Sequence, residues 1–367
     1  MLLFNKTNII LRGAEMKILV FGERYFNFTD STAYALNKLG HEVQIFYMNM
    51  LYNTKLGFVD HIKYKLKNKE FINNFYKKQK EELNELIDKF KPDMLLSING
   101  NSYVEYIDKY LLLKLKKQKC KSVLWFMDTI KRFEHIPQNI DLFDEVLSFE
   151  PNDVMYIKNK YNIDIKYFPI GVAEELYCSG SKINEKIYDI CFVGNTTENR
   201  LEVLNKIAEY CQKNDKKMIV YGHYWHNKHW WQEIIAKRKF SKKYPILSKY
   251  MTNELLNGKQ VAELYSKSKI CLNIHISLHK GINPRTFEIL GNGNFQLCDY
   301  REDASSLGLV DGENIVLYKN TQECLNKIDY YLSNIEAREK VGENGANFVK
   351  DKYTISHLFS EFLEDFA

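Results

Sequence analysis

Proline and glycine are scarce, with six and 17 in 367 residues. So few breakers exclude a collagenous chain, a proline-rich tract and a linker-dominated architecture. Cysteine occurs seven times, at positions 120, 178, 191, 211, 271, 298 and 324, an odd and widely spaced set without a C-x-x-C pair. A disulfide framework or zinc cluster is not expected from that spacing, and thiols inside apolar runs such as ICFVG and KICLNI read as small hydrophobes. The first residues, MLLFNKTNIILRGAE, hold two short apolar pieces broken by Lys6 and Arg12, too short for a signal-peptide core or a membrane span. Arginine is the rarest charge: eight of the 52 basic residues, at 12, 24, 132, 200, 238, 285, 301 and 338. Where lysine does most of the charging, each planar bidentate donor calls for a reason.

What is present points to a folded two-domain protein. The chain is 45% hydrophobic and carries 25 Tyr, 22 Phe and 4 Trp, which excludes disorder, and its length suits two cores. The net charge of +5 is too small to point to nucleic acid by itself. A cytoplasmic protein is expected. Met16 stands directly before KILVFG, so residues 1–15 read as a short extension or Met16 as the start.

Along the chain, short apolar runs alternate with helical patterns. KILVFG (17–22), EVQIFYM (42–48), MLLSING (94–100), SVLWFMD (122–128), DEVLSFE (144–150) and IKYFPIGV (165–172) read as strands. Between them lie expected helices over 29–40, 59–91, 102–118 and 152–161. The polar stretch 174–187 reads as a connection, after which the rhythm restarts with YDICFVGN (188–195), a helix over 198–212 and KMIVYG (217–222). An aromatic and basic insertion runs to about 250. Then come a helix at 259–267, the strand KICLNIHI (269–276), a helix around 285–291, FQLCDY (295–300), ENIVLY (313–318) and two last helices. The expectation is α/β: two Rossmann-like parallel-sheet domains, 16–173 and 188–350, facing across a cleft, with a C-terminal helix in 351–367 packing back on the first.

In such sheets ligands bind beyond the carboxyl ends of the strands. One wall of the cleft would then hold Glu23, Arg24, Asn99, Asn101 and Asp128, and the other 194–197, 222–225 and 275–288. Asp128 ends an apolar strand, where a carboxylate either caps the following turn or serves as a general base. Gly194, Asn195 and Thr196 follow a strand and open a helix carrying Arg200, a place suited to a phosphate, or else a simple N-cap by Thr197. Tyr224, with Tyr221, His223 and Trp225, could stack on a base or belong to the core. Arg285 and Glu288 lie at i and i+3 in one first turn, where the guanidinium suits a diphosphate and the carboxylate a pair of vicinal hydroxyls. The alternative is a surface Arg–Glu pair.

Residues 261–319 resemble the sugar-nucleotide half of GT-B glycosyltransferases, and within them the CgeB-like (spore maturation protein) group. The residues that carry the likeness are Leu272–His275, Arg285, Phe287, Glu288, Gly293, Asp299, Tyr300, Gly312, Glu313 and Tyr318, followed by the tail from Arg338 to Thr354. PIGV (169–172) and the W-F-x-D run ending at Asp128 resemble the same group. The resemblance implies transfer of a sugar from a nucleotide diphosphate, a UDP-sugar first, to a hydroxyl of a glycan, lipid-linked or polymer acceptor. It implies that Glu288 holds the ribose hydroxyls and that Arg285, Arg200 and the 194–196 loop meet the diphosphate. The wider retaining group has a second Glu where this chain has Lys280, so His275 and His279 are candidates to contact the sugar or phosphate. No cofactor and no metal are expected. The alternatives are a nucleotide-sugar epimerase on the same fold and a non-catalytic two-domain binding protein. Two stretches, 63–80 and 237–250, mix lysine with aromatics and read as solvated faces or as contacts to an anionic membrane surface.

Overall fold

In the computed structural model, residues 15–24, 27–51, 54–99, 106–132, 138–178, 185–195, 197–225, 229–276 and 281–364 are described. They divide into two compact units, Met1–Phe149 with Asp153–Phe168 and Ile355–Ala367, and Glu150–Asn152 with Pro169–Thr354.

The first unit is a doubly wound sheet. Its elements are β1 (Lys17–Gly22), α1 (Phe28–Lys38), β2 (Glu42–Tyr47), α2 (Phe58–Lys65), α3 (Lys69–Phe90), β3 (Met94–Asn99), α4 (Lys109–Lys117), β4 (Lys121–Phe126), β5 (Glu145–Ser148), α5 (Pro151–Tyr161) and β6 (Lys166–Tyr167). The strands are all parallel in the order β2-β1-β3-β4-β5-β6. Parallel strands covered on both faces read as continuous apolar runs, and Ile18–Phe21, Met94–Leu96 and Val123–Phe126 are buried. The order reverses between β1 and β3, the position at which open α/β sheets bind ligands.

The expected helix over 59–91 is two helices. Lys67 takes the left-handed conformation (φ 52°), and the Asn68 side chain then caps α3 by accepting from Phe71 N–H. The helix expected at 102–118 is described only as α4, capped by Asp108. The strand expected over 165–172 shrinks to β6, and Pro169 behind it has no N–H to continue a ladder.

The second unit contains α6 (Glu174–Tyr177), β7 (Tyr188–Val193), α7 (Glu198–Lys213), β8 (Met218–Tyr221), α8 (Trp230–Lys243), α9 (Gly258–Ser266), β9 (Ser268–Asn273), α10 (Pro284–Gly291), β10 (Gln296–Asp299), β11 (Val316–Tyr318), α11 (Thr321–Ser333) and α12 (Ile335–Lys352). Its five parallel strands run β11-β10-β9-β7-β8, with the switch between β7 and β9. Three helices, not two, end the chain: α13 (Ile355–Glu364) follows α12 and belongs to the first unit. There Phe359 and Phe362 pack with Phe168, and Phe359 meets Trp125, whose indole N–H donates to the Phe168 carbonyl. No described helix is long and apolar enough to cross a membrane.

Candidate functional site

At the second unit's switch point lie the ends of β7 and β9, followed by the described residues 194–195 and 274–276. Arg200, in the first turn of α7, ties them together: Nε donates to the Ile274 carbonyl (2.6 Å) and Nη1 to the Asn195 carbonyl (2.8 Å). Asn199 Nδ2 adds a bond to the His275 carbonyl (3.1 Å). Burial first, and then the Arg285 charge, push the Arg200 guanidinium down to about 10. This corrects the simple picture of Arg200 aimed at an anion. Two of its donor atoms are spent on backbone, and it works as a strut that sets the loop spacing.

Gly194 needs a similar correction. Its N–H donates to the Tyr221 carbonyl (3.0 Å), so it is not open to a phosphate. Its carbonyl accepts from Tyr224 Oη (3.2 Å), which also donates to the Tyr221 carbonyl (2.9 Å). Tyr224 therefore braces the β7 and β8 loops through its hydroxyl. Thr197 stands at the N-cap of α7, yet its side chain makes no cap bond and turns instead to Asn199. The first amides of α7 thus lack a side-chain acceptor, the condition under which a helix N-terminus receives an anion. Thr196 lies outside the described residues.

His275 is fully buried and its ring is saturated. Nδ1 meets Asp299 Oδ1 (2.7 Å), and Nε2 accepts from Asn283 N–H (3.1 Å). An accepting Nε2 puts the proton on Nδ1, so the ring is neutral and donates to Asp299. Burial lowers the His275 pKa, with Asp299 opposing. Asp299 also accepts from His275 N–H (2.9 Å) and pairs with Arg301; these contacts outweigh its burial and keep it below the usual carboxylate range. The expectation that His275 contacts sugar or phosphate gives way to another role: it pins the loop entering α10 to the end of β10. His279 and Lys280 lie outside the described residues.

The same loop is held further along. Ile282 N–H donates to Asp303 Oδ2 (2.9 Å) and Gly281 N–H to Glu150 Oε2 (3.3 Å). Asn273 and Asn283 exchange side-chain amide bonds (3.0 Å each), and Asn283 caps α10 by accepting from Thr286 N–H. Asn283 thus satisfies one of the first amides of α10.

Arg285 and Glu288 share one face of α10 and do not close into an ion pair. Arg285 Nη1 donates to the Tyr265 hydroxyl (3.0 Å) from α9. Burial works against its charge, but Tyr265, Glu288 and Tyr177 outweigh it and hold its pKa up. Glu288 has no hydrogen-bond donor among the described residues. Burial raises its pKa and Arg285 only partly offsets this. A half-buried carboxylate with no donor among the described residues, beside a guanidinium held by Tyr265, keeps its acceptor capacity unfilled by those residues. The sequence pattern hides both tyrosines: Tyr265 sits in an apolar helical stretch that reads as core, and Tyr177 in the polar stretch that reads as a connection. Cys178, next to Tyr177, is the one part-exposed thiol of the seven; Gly291, at the end of α10, packs close to its sulfur.

Among the described residues one set has metal-ligand spacing, His275, Cys298 and Asp299. Its nitrogens and carboxylate oxygens are already spent on one another, Asn283 and Arg301, so it behaves as a hydrogen-bonded lock.

The first unit's switch point carries its own expected residues. The Glu23 carbonyl accepts from the Thr29 hydroxyl, and Arg24 lies 4.2 Å over the Tyr47 ring, whose hydroxyl bonds Asp30. Asn99 ends β3 opposite Phe126. Asn101 lies outside the described residues. Asp128 sits two residues past β4, half-buried, and accepts from Thr129 N–H (2.9 Å). The following turn is capped by Asp153, which the sequence reading missed: fully buried, it accepts from Ile130 N–H, the Thr129 hydroxyl and the Ser148 hydroxyl.

With two doubly wound units and this switch-point chemistry, the fold is GT-B. A family model described as glycosyl transferase-like matches residues 200–364, the span from α7 to α13. A search of curated protein sequences gave no match. Sucrose-phosphate synthase from Thermosynechococcus elongatus superposes with a TM-score of 0.62 at 11% identity, over 96% of this chain and 99% of that one. Anabaena HepE, solved with UDP and glucose, gives 0.59 at 11% over 96% and 99%. A structure titled UDP-N-acetylglucosamine 2-epimerase from Listeria monocytogenes gives 0.54 at 12% over 96% and 98%. At these identities the likeness is one of fold.

Proposed function

We propose that the protein is a glycosyltransferase that takes a sugar from a nucleotide diphosphate, a UDP-sugar first, and passes it to a hydroxyl of a carbohydrate, lipid-linked or polymer acceptor. The observation that carries this reading is Glu288, half-buried, without a hydrogen-bond donor among the described residues, one turn from Arg285. Two vicinal ribose hydroxyls supply the missing donors. Arg285 and the uncapped N-terminus of α7 supply positive charge for the diphosphate as it leaves. In the reaction the acceptor oxygen bonds to the anomeric carbon, the bond to the diphosphate breaks, and the acceptor proton departs. Asp128 is the group we assign to that proton, with Glu23, Arg24, Asn99 and Asn101 on the acceptor side. Gly194, Arg200, Tyr224 and His275 brace the loops that shape the site, and Asn195, Thr196, His279 and Lys280 are the remaining groups we assign to the donor. No cofactor or metal is invoked, since fixed protein charge serves the leaving group. We place the enzyme in the cytoplasm, at the surface of an anionic membrane.

The family-model match over 200–364 and the UDP held by HepE support this reading. The Listeria epimerase structure favours a second one, epimerisation of a nucleotide sugar, which needs no acceptor. Incubating the protein with UDP-, GDP-, dTDP- and CMP-sugars, with and without acceptor glycans, separates them. Transfer releases the nucleotide (a diphosphate from UDP-, GDP- or dTDP-sugars, CMP from CMP-sugars) only with acceptor, whereas epimerisation changes the sugar and returns it bound to nucleotide. If no nucleotide raises the melting temperature and Glu288→Ala changes nothing, the site is misassigned.

A further inference from the structure

Surface helices bury their apolar stripe and show water their charges. α8 turns large apolar side chains to water as well. Its inward contacts are Glu233, which accepts from Asn253 Nδ2 (2.8 Å), Phe240 against Trp225 (5.5 Å) and Tyr244 (5.3 Å), Lys237 over the Trp225 ring (5.6 Å), Ala236 against the core, and Lys243 paired with Glu198. Its outward residues are Trp230 (75% exposed), Trp231 (48%), Ile234 (42%) and Ile235 (57%), and none of its residues is buried. At ~100° per residue, Trp230, Trp231, Ile234, Ile235, Arg238 and Lys242 fall on one half of the helix. Large apolar side chains and guanidinium or ammonium groups therefore share the solvent face, apolar toward the N-terminal end and basic toward the C-terminal end. α8 holds five basic residues and one acid in a chain whose whole excess is +5. Among the described residues Arg238, Lys239 and Lys242 pair with no carboxylate.

We infer that α8 is an interfacial helix that docks on an anionic lipid surface. Trp230, Trp231, Ile234 and Ile235 enter the headgroup–acyl boundary, where an indole finds both apolar contact and a partner for its N–H. Arg238, Lys239 and Lys242 extend to the lipid phosphates. The charge on this face selects that occupant: five bases against one acid on α8 complement an anionic surface. This gives a surface to the membrane contact in the functional reading and rests on that reading only there. Vesicle binding needs no nucleotide, so either can fail alone.

The test is co-sedimentation of the full chain with phosphatidylcholine vesicles and with vesicles that also contain phosphatidylglycerol, followed by tryptophan emission. Trp125 and Trp225 are buried, so a blue shift reports Trp230 and Trp231. Binding is expected only to the anionic vesicles, weakening as salt rises, with a blue shift. The pair Trp230→Ser with Ile234→Ser, and separately Arg238→Glu with Lys242→Glu, should each weaken it about tenfold or more. Circular dichroism checks that both variants fold. Absence of binding to anionic vesicles overturns the proposal, as does binding that survives both variants. Binding lost only with the charge variant and without a blue shift would mean attraction to polyanions in general. A doubled mass in vesicle-free solution, abolished by Trp230→Ser with Ile234→Ser, would instead make the face a self-association surface.

Discussion

At the scale of single residues, half-buried Glu288 and fully buried His275 are two titratable groups on one loop-and-helix segment with opposite consequences. The raised pKa of Glu288 means that the fold pays for its charge, because above about 4.5 the unfolded chain gives up this proton before the native one does. Its contribution to stability therefore falls as pH rises past that value. Glu288→Gln keeps the shape and drops the charge, so a higher melting temperature is expected at pH 7. The melting shift caused by UDP should shrink, with affinity down about tenfold or more because a carboxylate acceptor of two hydroxyls is gone. Calorimetry with and without nucleotide reads both. A purely structural Glu288 would not separate them.

His275 runs the other way. Its lowered pKa means that below the ordinary value of 6.5 the unfolded chain takes up a proton that the native state refuses, so stability drops as pH falls from there. His275→Ala leaves Asp299 without its donor and Asn283 N–H without its acceptor, and should cost about 3 kcal/mol in urea unfolding at pH 7.5. It should also flatten the acid limb of the stability profile. Arg285→Lys tests the neighbouring fork: a point charge cannot hold Tyr265 and a diphosphate together, and kcat is expected to fall about a hundredfold with less change in KM. The sequence made these residues visible to different degrees. Arg285 and Glu288 stand out through spacing and the scarcity of arginine. The commitment of Arg200 and His275 to carbonyls and amides depends on loops brought together by strand order, which no local pattern records.

At the scale of elements, the β7 and β8 loops are so close that a side chain at Gly222 has no room. A Cβ there would lie 2.3 Å from the Gly194 carbonyl oxygen. Gly222→Ala should push the 194–195 turn outward, cost about 1–3 kcal/mol and weaken nucleotide binding, which a melting curve with a UDP titration measures. Most strands and helices were legible because parallel strands are continuous apolar runs and the helices have 3.6-residue stripes. The errors fell where a cap overrules periodicity. Lys67 and Asn68 cut one lysine-rich helix into two, and the strand at 165–172 ended early before Pro169. α8 was legible as basic and aromatic, but which residues face outward required the anchor contacts of Glu233 and Phe240.

At the scale of the whole molecule, the alternation of strand and helix in both halves was enough to foresee two doubly wound units. The chain's last helix was harder to place, since nothing local says which core an amphipathic helix joins. α13 closes the first unit, with Phe359 against Trp125 and Phe168. Phe359→Ala should therefore cost about 3–5 kcal/mol and shift Trp125 emission, while the UDP-induced melting shift, which depends on the second unit, persists. Chemical denaturation followed by fluorescence distinguishes the two effects.

The thiols have a practical consequence. Six of the seven are sealed inside the two cores, and Cys178 alone is part-exposed, against the end of the helix that carries Arg285 and Glu288. A maleimide dye should therefore label the native protein at one position, without any engineering. There it would serve as an optical gauge of ligand occupancy, and the slow appearance of further labelled sites would time the opening of the cores.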